Sequence, residues 1–382
     1  MRIESQKLGK MITRQLEPEI LKNFNDNKVV VLLGARQVGK TSLLTKLTEN
    51  LNNVLWLYGD DADTREYFTN PNATKLKNLI GNNKILVIDE AQRIENIGLC
   101  LKIIYDQIKD VKVLATGSSA FELANKINEP LTGRKWEYRM FPFSFSEMAN
   151  HTSLLEENRL LENRLVYGYY PDVINNPDNA ENILKQLANS YLYKDILTWE
   201  RIQKPDRMEK LVQAIAFQIG NLVSYNELGN MSGLDNQTVE HYINLLEKAF
   251  IVFRLGTYSR NLRNELKKSR KIYFYDNGLR NAIINQFNPL GMRNDVGALW
   301  ENFMIVERMK RNAYTNYYTN TYFWRNKNQQ EIDYVEENNG KLDAFEFKWS
   351  SSKVKFPNEF INAYQPAETL VVSKENYRDF IL

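Results

Sequence analysis

Residues 28–41 read KVVVLLGARQVGKT, and SLLTKLTENL follows from Ser42. The β-branched run ending at Leu33 predicts a short buried strand, and the apolar spacing after Thr41 predicts an amphipathic helix. Between them lies a loop with glycines at 34 and 39 and a lysine at 40. Strand, glycine loop and helix in this order make a phosphate cradle: backbone amides turn inward and the helix N-terminus adds partial positive charge. The loop residues Gly34, Ala35, Arg36, Gln37, Val38, Gly39, Lys40, Thr41 and Ser42 are the candidate binding set. Lys40 would reach the β and γ phosphates of a nucleotide, and the Thr41 hydroxyl would ligate Mg²⁺.

Outward from this loop, further buried strands are predicted. KILVI, residues 84–88, ends in Asp89 and Glu90. That pair has the form of a Walker B motif: Asp89 holds Mg²⁺ through water and Glu90 orients the attacking water. VKVLA, residues 111–115, runs into TGSS, which puts hydroxyls at the carboxyl end of a sheet strand, where open α/β sheets bind ligands. Ser118 or Ser119 is then a γ-phosphate or water sensor, the other reading being ordinary helix capping. Arg134, just before the next strand, is either an arginine finger serving a neighbouring subunit or a surface cation.

The order of these motifs resembles the AAA+ branch of P-loop ATPases. The strings GARQVGKTSLL, ILVIDEAQRI, LATGSSAFEL, LTGRKWEYRMFPFSFSEM, YGYYPDVI, YLYKDIL and KIYFYDNGLRNAI resemble a large family of prokaryotic ATPases that pair such a module with a C-terminal domain of unknown function. The resemblance implies ATP and Mg²⁺ as cofactors and a helical lid. YGYYP, residues 167–171, resembles a lid element near adenine, which implies that Tyr170 and Pro171 flank the base.

From about Asp206 the pattern changes to short helices joined by tight turns. Ser224 and Asp235 have capping form, and a strand is predicted from Phe250. This reads as a winged helix whose third helix offers Asn236, Gln237, Glu240, His241 and Asn244 to a DNA groove. A basic run follows, Arg254, Arg260, Arg263, Lys267, Lys268, Arg270 and Lys271 opposed by Glu265. It is either a DNA contact or a solvated face.

The last third places Glu301 early on a predicted helix, then two strands joined by Asn339-Gly340, a preferred hairpin turn. That turn sets residue 338 opposite 341, Asp333 opposite Glu346 and Glu331 opposite Lys348, with Lys348 on the face of Glu346. Facing carboxylates repel unless a cation intervenes. The pattern Glu301, Asp333, Glu346-Phe-Lys348 resembles the PD-(D/E)XK nuclease superfamily, which implies a metal held by Glu301, Asp333 and Glu346, with Glu346 and Lys348 in catalysis. The plain alternative pairs Glu331 with Lys348 across the strands.

Composition bounds these readings. The 382 residues exceed one ordinary domain, and a net charge of +3 excludes coating of nucleic acid by bulk charge. Cys100 alone forms no intrachain disulfide, and His151 and His241 leave little for a zinc site. The apolar runs are far shorter than the roughly 20 residues that span a bilayer, and the N-terminal residues lack a secretory pattern, so a cytoplasmic protein with no membrane contact is expected. The expected fold class is α/β: a P-loop AAA+ parallel sheet with helical lid in residues 1–205, a winged-helix-like unit in 206–260, and a PD-(D/E)XK-like α/β unit in 261–382. The expected function is ATP hydrolysis whose nucleotide state controls a C-terminal domain that engages DNA or cleaves it, with a homo-oligomer formed through Arg134. The rival is an ATP-driven interaction switch with a catalytically silent C-terminal platform.

Overall fold

The structure, a computed structural model, describes residues 11–118, 127, 130–189, 205–259, 270–350 and 354–382. Ser119, the YLYKDIL stretch, Arg260, Arg263, Glu265, Lys267 and Lys268 lie outside the described residues. The fold is α/β. Five parallel strands, β1 (Val29–Leu33), β2 (Val54–Tyr58), β3 (Ile85–Asp89), β4 (Lys112–Gly117) and β5 (Lys135–Arg139), form a sheet in the order β2-β3-β4-β1-β5. All residues of β1 and β3 are buried, as expected of central strands covered on both faces. The carboxyl ends of β1, β3 and β4 therefore share one edge, and the loop after β1 enters the helix Lys40–Thr48 there.

Short helices follow, including Phe145–His151, Leu161–Tyr167 and Pro171–Asn175. The first opens with a capping box: Ser144 Oγ accepts from Glu147 N at 3.0 Å and Glu147 Oε2 accepts from Ser144 N at 2.9 Å. Two strings of the sequence meet further on. Asp276 accepts from Tyr169 N at 2.7 Å and from Leu279 N at 3.0 Å, so it ties YGYYP to the helix Asn277–Ile283.

The helices Pro205–Phe217, Tyr225–Ser232 and Asn236–Lys248 come next, the last capped by Asp235, which accepts from Gln237 N and Thr238 N at 3.0 Å. They pack with β6 (Leu222–Val223), β7 (Val252–Thr257) and β8 (Arg270–Phe274). The strand expected from Phe250 begins at Val252, because Phe250 has φ of 59° and turns the chain first. The C-terminal strands are β9 (Asn320–Arg325), β10 (Glu331–Asn338), β11 (Lys341–Phe347) and β12 (Glu368–Val372). A second sheet runs β12-β11-β10-β9-β7-β8-β6, with β7 parallel to β9 through Gly256↔Tyr322 and Thr257↔Phe323. The boundary drawn after residue 260 thus separates two paired strands, β7 and β8, of one continuous sheet.

The helix Val296–Tyr314 is the hub. Leu299, Phe303 and Val306 are buried on it, and so are Trp300, Met304 and Ile305, so the helix is enclosed on more than one face. Its buried polar side chains face groups on other elements. Asn302 accepts from Phe274 N at 2.8 Å and donates to Phe274 O at 3.0 Å. Glu307 accepts from Phe145 N at 2.7 Å, and Lys310 donates to Phe143 O at 2.8 Å and to Glu307 at 2.7 Å. Arg308 and Asn312 hold Glu336 of β10 at 2.7 and 2.8 Å. One apolar core runs from Ile12 to Ile381 around it. Removing one member of a buried ion pair strands the other, a loss of about 3–5 kcal/mol. Lys310→Met is expected to lower the urea unfolding free energy by about that amount, whereas the double variant Lys310→Met, Glu307→Leu should lose less than the sum of its parts; strict additivity would contradict the coupling.

Candidate functional site

At the carboxyl edge of the first sheet the phosphate loop is shaped by two glycines. Gly39 has φ of 94°, which L side chains rarely adopt, and a side chain on Gly34 would fall on the Met140 carbonyl oxygen. Gly34 is thus fixed by the close approach of the chain leaving β5 as well as by the loop turn. Lys40, buried, donates to Gly34 O at 2.9 Å and Ala35 O at 2.8 Å, which folds its ammonium along the loop. Thr41 Oγ1 donates to Asp89 Oδ2 at 2.9 Å, so the hydroxyl and carboxylate expected to hold Mg²⁺ are side by side. A cavity of about 600 Å³ adjoins the loop, lined by Gly39, Ser42, Leu43, Ile12, Phe143 and Pro171 among others. Its size and mixed apolar lining fit a nucleotide base. Pro171 reaches this cavity; Tyr170 is buried and is not among its lining residues.

Glu90 follows β3 with φ of 50°, a left-handed conformation that costs a non-glycine residue about 1–3 kcal/mol and collects at functional sites. Its side chain accepts from Ser118 Oγ at 2.8 Å and from Gln92 Nε2. Ser118 is therefore a direct holder of Glu90. Thr116 was missed in the sequence as a site residue: its hydroxyl donates to Asp89 at 2.5 Å and accepts from Glu90 N at 3.0 Å, tying both Walker B acids to β4. Its signal was the position next to the end of a buried strand.

Arg14 was also missed. Buried, it donates to Val38 O of the phosphate loop at 2.9 Å, to Phe141 O at 2.6 Å and to Glu147 at 3.0 Å, and lies 3.4 Å from Tyr314 OH. Tyr314 OH in turn accepts from Phe141 N at 3.2 Å. No sequence motif marks Arg14, since all its partners are distant in the chain. Arg134 pairs with Asp106 at 3.0 Å, and its carbonyl accepts from Val29 N, at the amino end of β1. It is thus at the far end of that strand from its own phosphate loop.

In the second sheet the hairpin register is as expected, Asn338↔Lys341 through Tyr334↔Phe345. Asp333 and Glu346 come together around Lys348, whose ammonium is 3.5 and 2.9 Å from them. The expected Glu331–Lys348 pair is not formed. Glu331 instead meets Lys271 of β8 at 2.6 Å and Arg325 at 3.0 Å. Lys271 also donates to Glu301 at 3.0 Å, and Tyr273 OH donates to the same carboxylate at 2.5 Å. Of the expected metal set, Glu301 is paired with Lys271, and Asp333 and Glu346 are paired with Lys348; among the described residues no three His, Cys, Asp or Glu side chains are grouped to hold a metal ion.

The described part of the basic run has partners within the chain. Arg254 is bound by Glu247 and by Asn244, the latter at 2.5 Å, and Lys271 is buried. Arg270 donates to Tyr225 OH at 3.3 Å. Arg254 and Lys271 are therefore tied into the protein, Arg270 keeps about a third of its side chain exposed, and Asn244 of the expected reading helix is occupied with Arg254.

Burial pushes the Glu301 carboxyl up to about 7, against the pull of Lys271. Glu346 is pushed up to about 7 as well, first by burial and then by the charge of Asp333. A carboxyl raised above its ordinary 4.5 lets the folded protein hold more protons than the unfolded chain between the two values. Stability then falls as pH rises through that window, and the full cost stands above about 7. The melting temperature is expected to be higher near pH 6 than near pH 8, with Glu346→Gln and Glu301→Gln each flattening the profile; an unaltered profile in both would refute the assignment.

A family model for the AAA domain matches residues 26–149, and two models for domains of unknown function, DUF8612 and DUF4143, match residues 158–290 and 296–381. An uncharacterized protein of Haemophilus influenzae is 26% identical over 329 residues, covering 79% of this chain and 79% of its own. An uncharacterized protein of Mycobacterium tuberculosis is 25% identical over 334 residues, covering 85% and 71%. Among solved structures, the Walker-type ATPase of Pyrococcus abyssi is similar in fold, with a TM-score of 0.50 at 16% identity over 72% of this chain and 96% of that one. No helix among the described residues is long and apolar enough to cross a membrane. The N-terminal module is similar to P-loop ATPase domains of the AAA type.

Proposed function

We propose that this chain is an ATP-driven switch in which the N-terminal nucleotide site controls the C-terminal sheet as a binding platform. The observation that carries the reading is Arg14, which donates to the phosphate-loop carbonyl of Val38 and also lies against Tyr314, the last residue of the helix Val296–Tyr314. Thirteen residues earlier on the same helix, about 20 Å away, stands Glu301. A shift of the loop backbone on nucleotide binding therefore has a packed, hydrogen-bonded path to the carboxylates of the second sheet.

At the first site Lys40 exchanges its loop carbonyls for phosphate oxygens, and the amides of residues 34–41 face the same anion. Thr41 and Asp89 would hold Mg²⁺, which would supply neutralisation of phosphate charge. Glu90 orients the attacking water, and Ser118 and Gln92 set where its carboxylate rests between turnovers. Thr116 keeps Asp89 and Glu90 in fixed relation.

Lys40→Ala is expected to abolish nucleotide binding, and Glu90→Gln to retain ATP without hydrolysing it; ATP turnover unchanged in both would remove the site. With ATP held by Glu90→Gln, hydrogen exchange in residues 296–314 and 270–274 should differ from the nucleotide-free state. Adding Tyr314→Phe should shrink that difference while leaving ATP binding intact. Exchange that responds only within residues 11–150 would leave the switch without a lever.

A second reading, metal-dependent DNA cleavage, is favoured by one observation. The order helix, β9, β10, β11, helix, with β12 parallel to β11, brings Asp333, Glu346 and Lys348 together as a nuclease of the PD-(D/E)XK kind requires. Plasmid incubation with Mg²⁺ or Mn²⁺, with and without ATP, separates the two: nicking lost in Asp333→Ala and Lys348→Ala supports cleavage, and an intact plasmid beside active ATP turnover supports the silent platform.

A further inference from the structure

Two of the C-terminal carboxylates, Glu301 and Glu331, share a cation that comes from a strand outside the β10–β11 hairpin. Lys271 belongs to β8, which is hydrogen-bonded on one side to β7 and on the other to β6. Its side chain is 2% exposed, and its ammonium is 3.0 Å from Glu301 and 2.6 Å from Glu331. The Phe323 ring lies under the same nitrogen, 5.4 Å from its centroid. An ammonium has three donors, and two carboxylates with one aromatic face are what a buried ammonium needs to offset its desolvation. Tyr273, two residues along β8, donates to Glu301 from the same side. Both side chains are fixed by the pairing of one strand.

We propose that Lys271 is the resident cation of this site, and that while β8 stays paired the C-terminal carboxylates exclude divalent metal ions. A divalent ion takes oxygen ligands at about 2.0–2.6 Å and demands six or more of them. An ammonium already between Glu301 and Glu331 fills that space and adds a like charge beside any incoming ion. Lys348, with a side chain about one-third exposed, pairs separately with Asp333 and Glu346. The inference rests on the platform reading for its biological meaning and supplies the physical reason for a silent site: binding there is governed by β8 and not by free Mg²⁺.

The test uses the full chain without nucleotide and with Asp89→Asn to silence the Walker acid, titrated with Mn²⁺ alone and followed by the electron paramagnetic resonance of the free ion. The protein with Lys271 is expected to take up no Mn²⁺ that Glu301→Gln removes. Lys271→Met, which keeps most of the length of the side chain and loses its charge, should gain one equivalent of bound Mn²⁺, and Glu301→Gln should abolish that gain. Lys271→Arg, retaining the charge, should stay metal-free. The proposal is overturned if the Lys271 protein takes up one Mn²⁺ that Glu301→Gln abolishes, or if Lys271→Met, folded by its circular dichroism melt, takes up none. Should Lys271→Met not fold, the Lys271 protein and its Glu301→Gln variant still decide the question. Because the readout needs neither ATP nor DNA, a failed switch, seen as exchange that ignores nucleotide, is distinguishable from failed metal exclusion.

Discussion

The buried pair of Glu307 and Lys310 is the contact on which the arrangement of the molecule depends. Both side chains are almost fully enclosed, and each spends its remaining hydrogen-bonding capacity on the chain just after β5, Phe145 N for the acid and Phe143 O for the base. Burying two charges is repaid only when their geometry is good and the leftover donors and acceptors are also satisfied. Here those leftovers are backbone groups of another module. The ATPase sheet and the C-terminal helix are consequently specified together, and burial pushes the Glu307 carboxyl up in spite of its lysine. The same helix satisfies Phe274 through Asn302 and Glu336 through Arg308, so three regions of the chain are joined by directional bonds in addition to apolar packing.

Such a hub constrains motion. Buried polar networks have few alternative arrangements in which every member is satisfied, so they move between discrete states and do not deform smoothly. Arg14 places one end of the hub against the phosphate loop, and its guanidinium has partners in Val38, Phe141 and Glu147 at once. Loop motion that withdraws the Val38 carbonyl leaves a buried donor to be satisfied elsewhere, and the neighbouring acceptors belong to the segment gripped by Tyr314, Lys310 and Glu307.

The nucleotide site was legible because its chemistry is local: strand, loop and helix are contiguous, and Asp89 and Glu90 follow a strand that announces itself by its apolar run. The β10–β11 register was legible for a similar reason, since Asn339 and Gly340 take φ of 52° and 80° and a two-residue turn fixes every pair behind it. What escaped was whatever a third element contributed. Hairpin arithmetic set Lys348 against Glu331, but β8 and β9 offered Lys271 and Arg325 to that acid, and a register shift between Ile332 and Val335 breaks simple alternation along β10 where it pairs with β9. Lys271 sat in a run of basic residues that looked like a surface, and only the pairing of β8 turns it inward. Arg14 carried no motif, because its role is defined by carbonyls that arrive from elsewhere in the chain.

The two acidic sites differ in what neutralises them, and that difference separates their chemistry. Asp89 is held by the hydroxyls of Thr41 and Thr116, neutral donors that orient a carboxylate and leave its charge for a cation to use. Glu301 and Glu331 are held by the buried ammonium of Lys271, which spends that charge inside the protein, and Asp333 and Glu346 by the partly exposed ammonium of Lys348. A carboxylate already paired with a buried cation gains little from a second one and would lose its first partner to admit it. The sequence places similar acids at the ends of strands in both sheets, yet by this argument the first set is prepared for an arriving metal–phosphate pair, while the second responds to whatever moves β8.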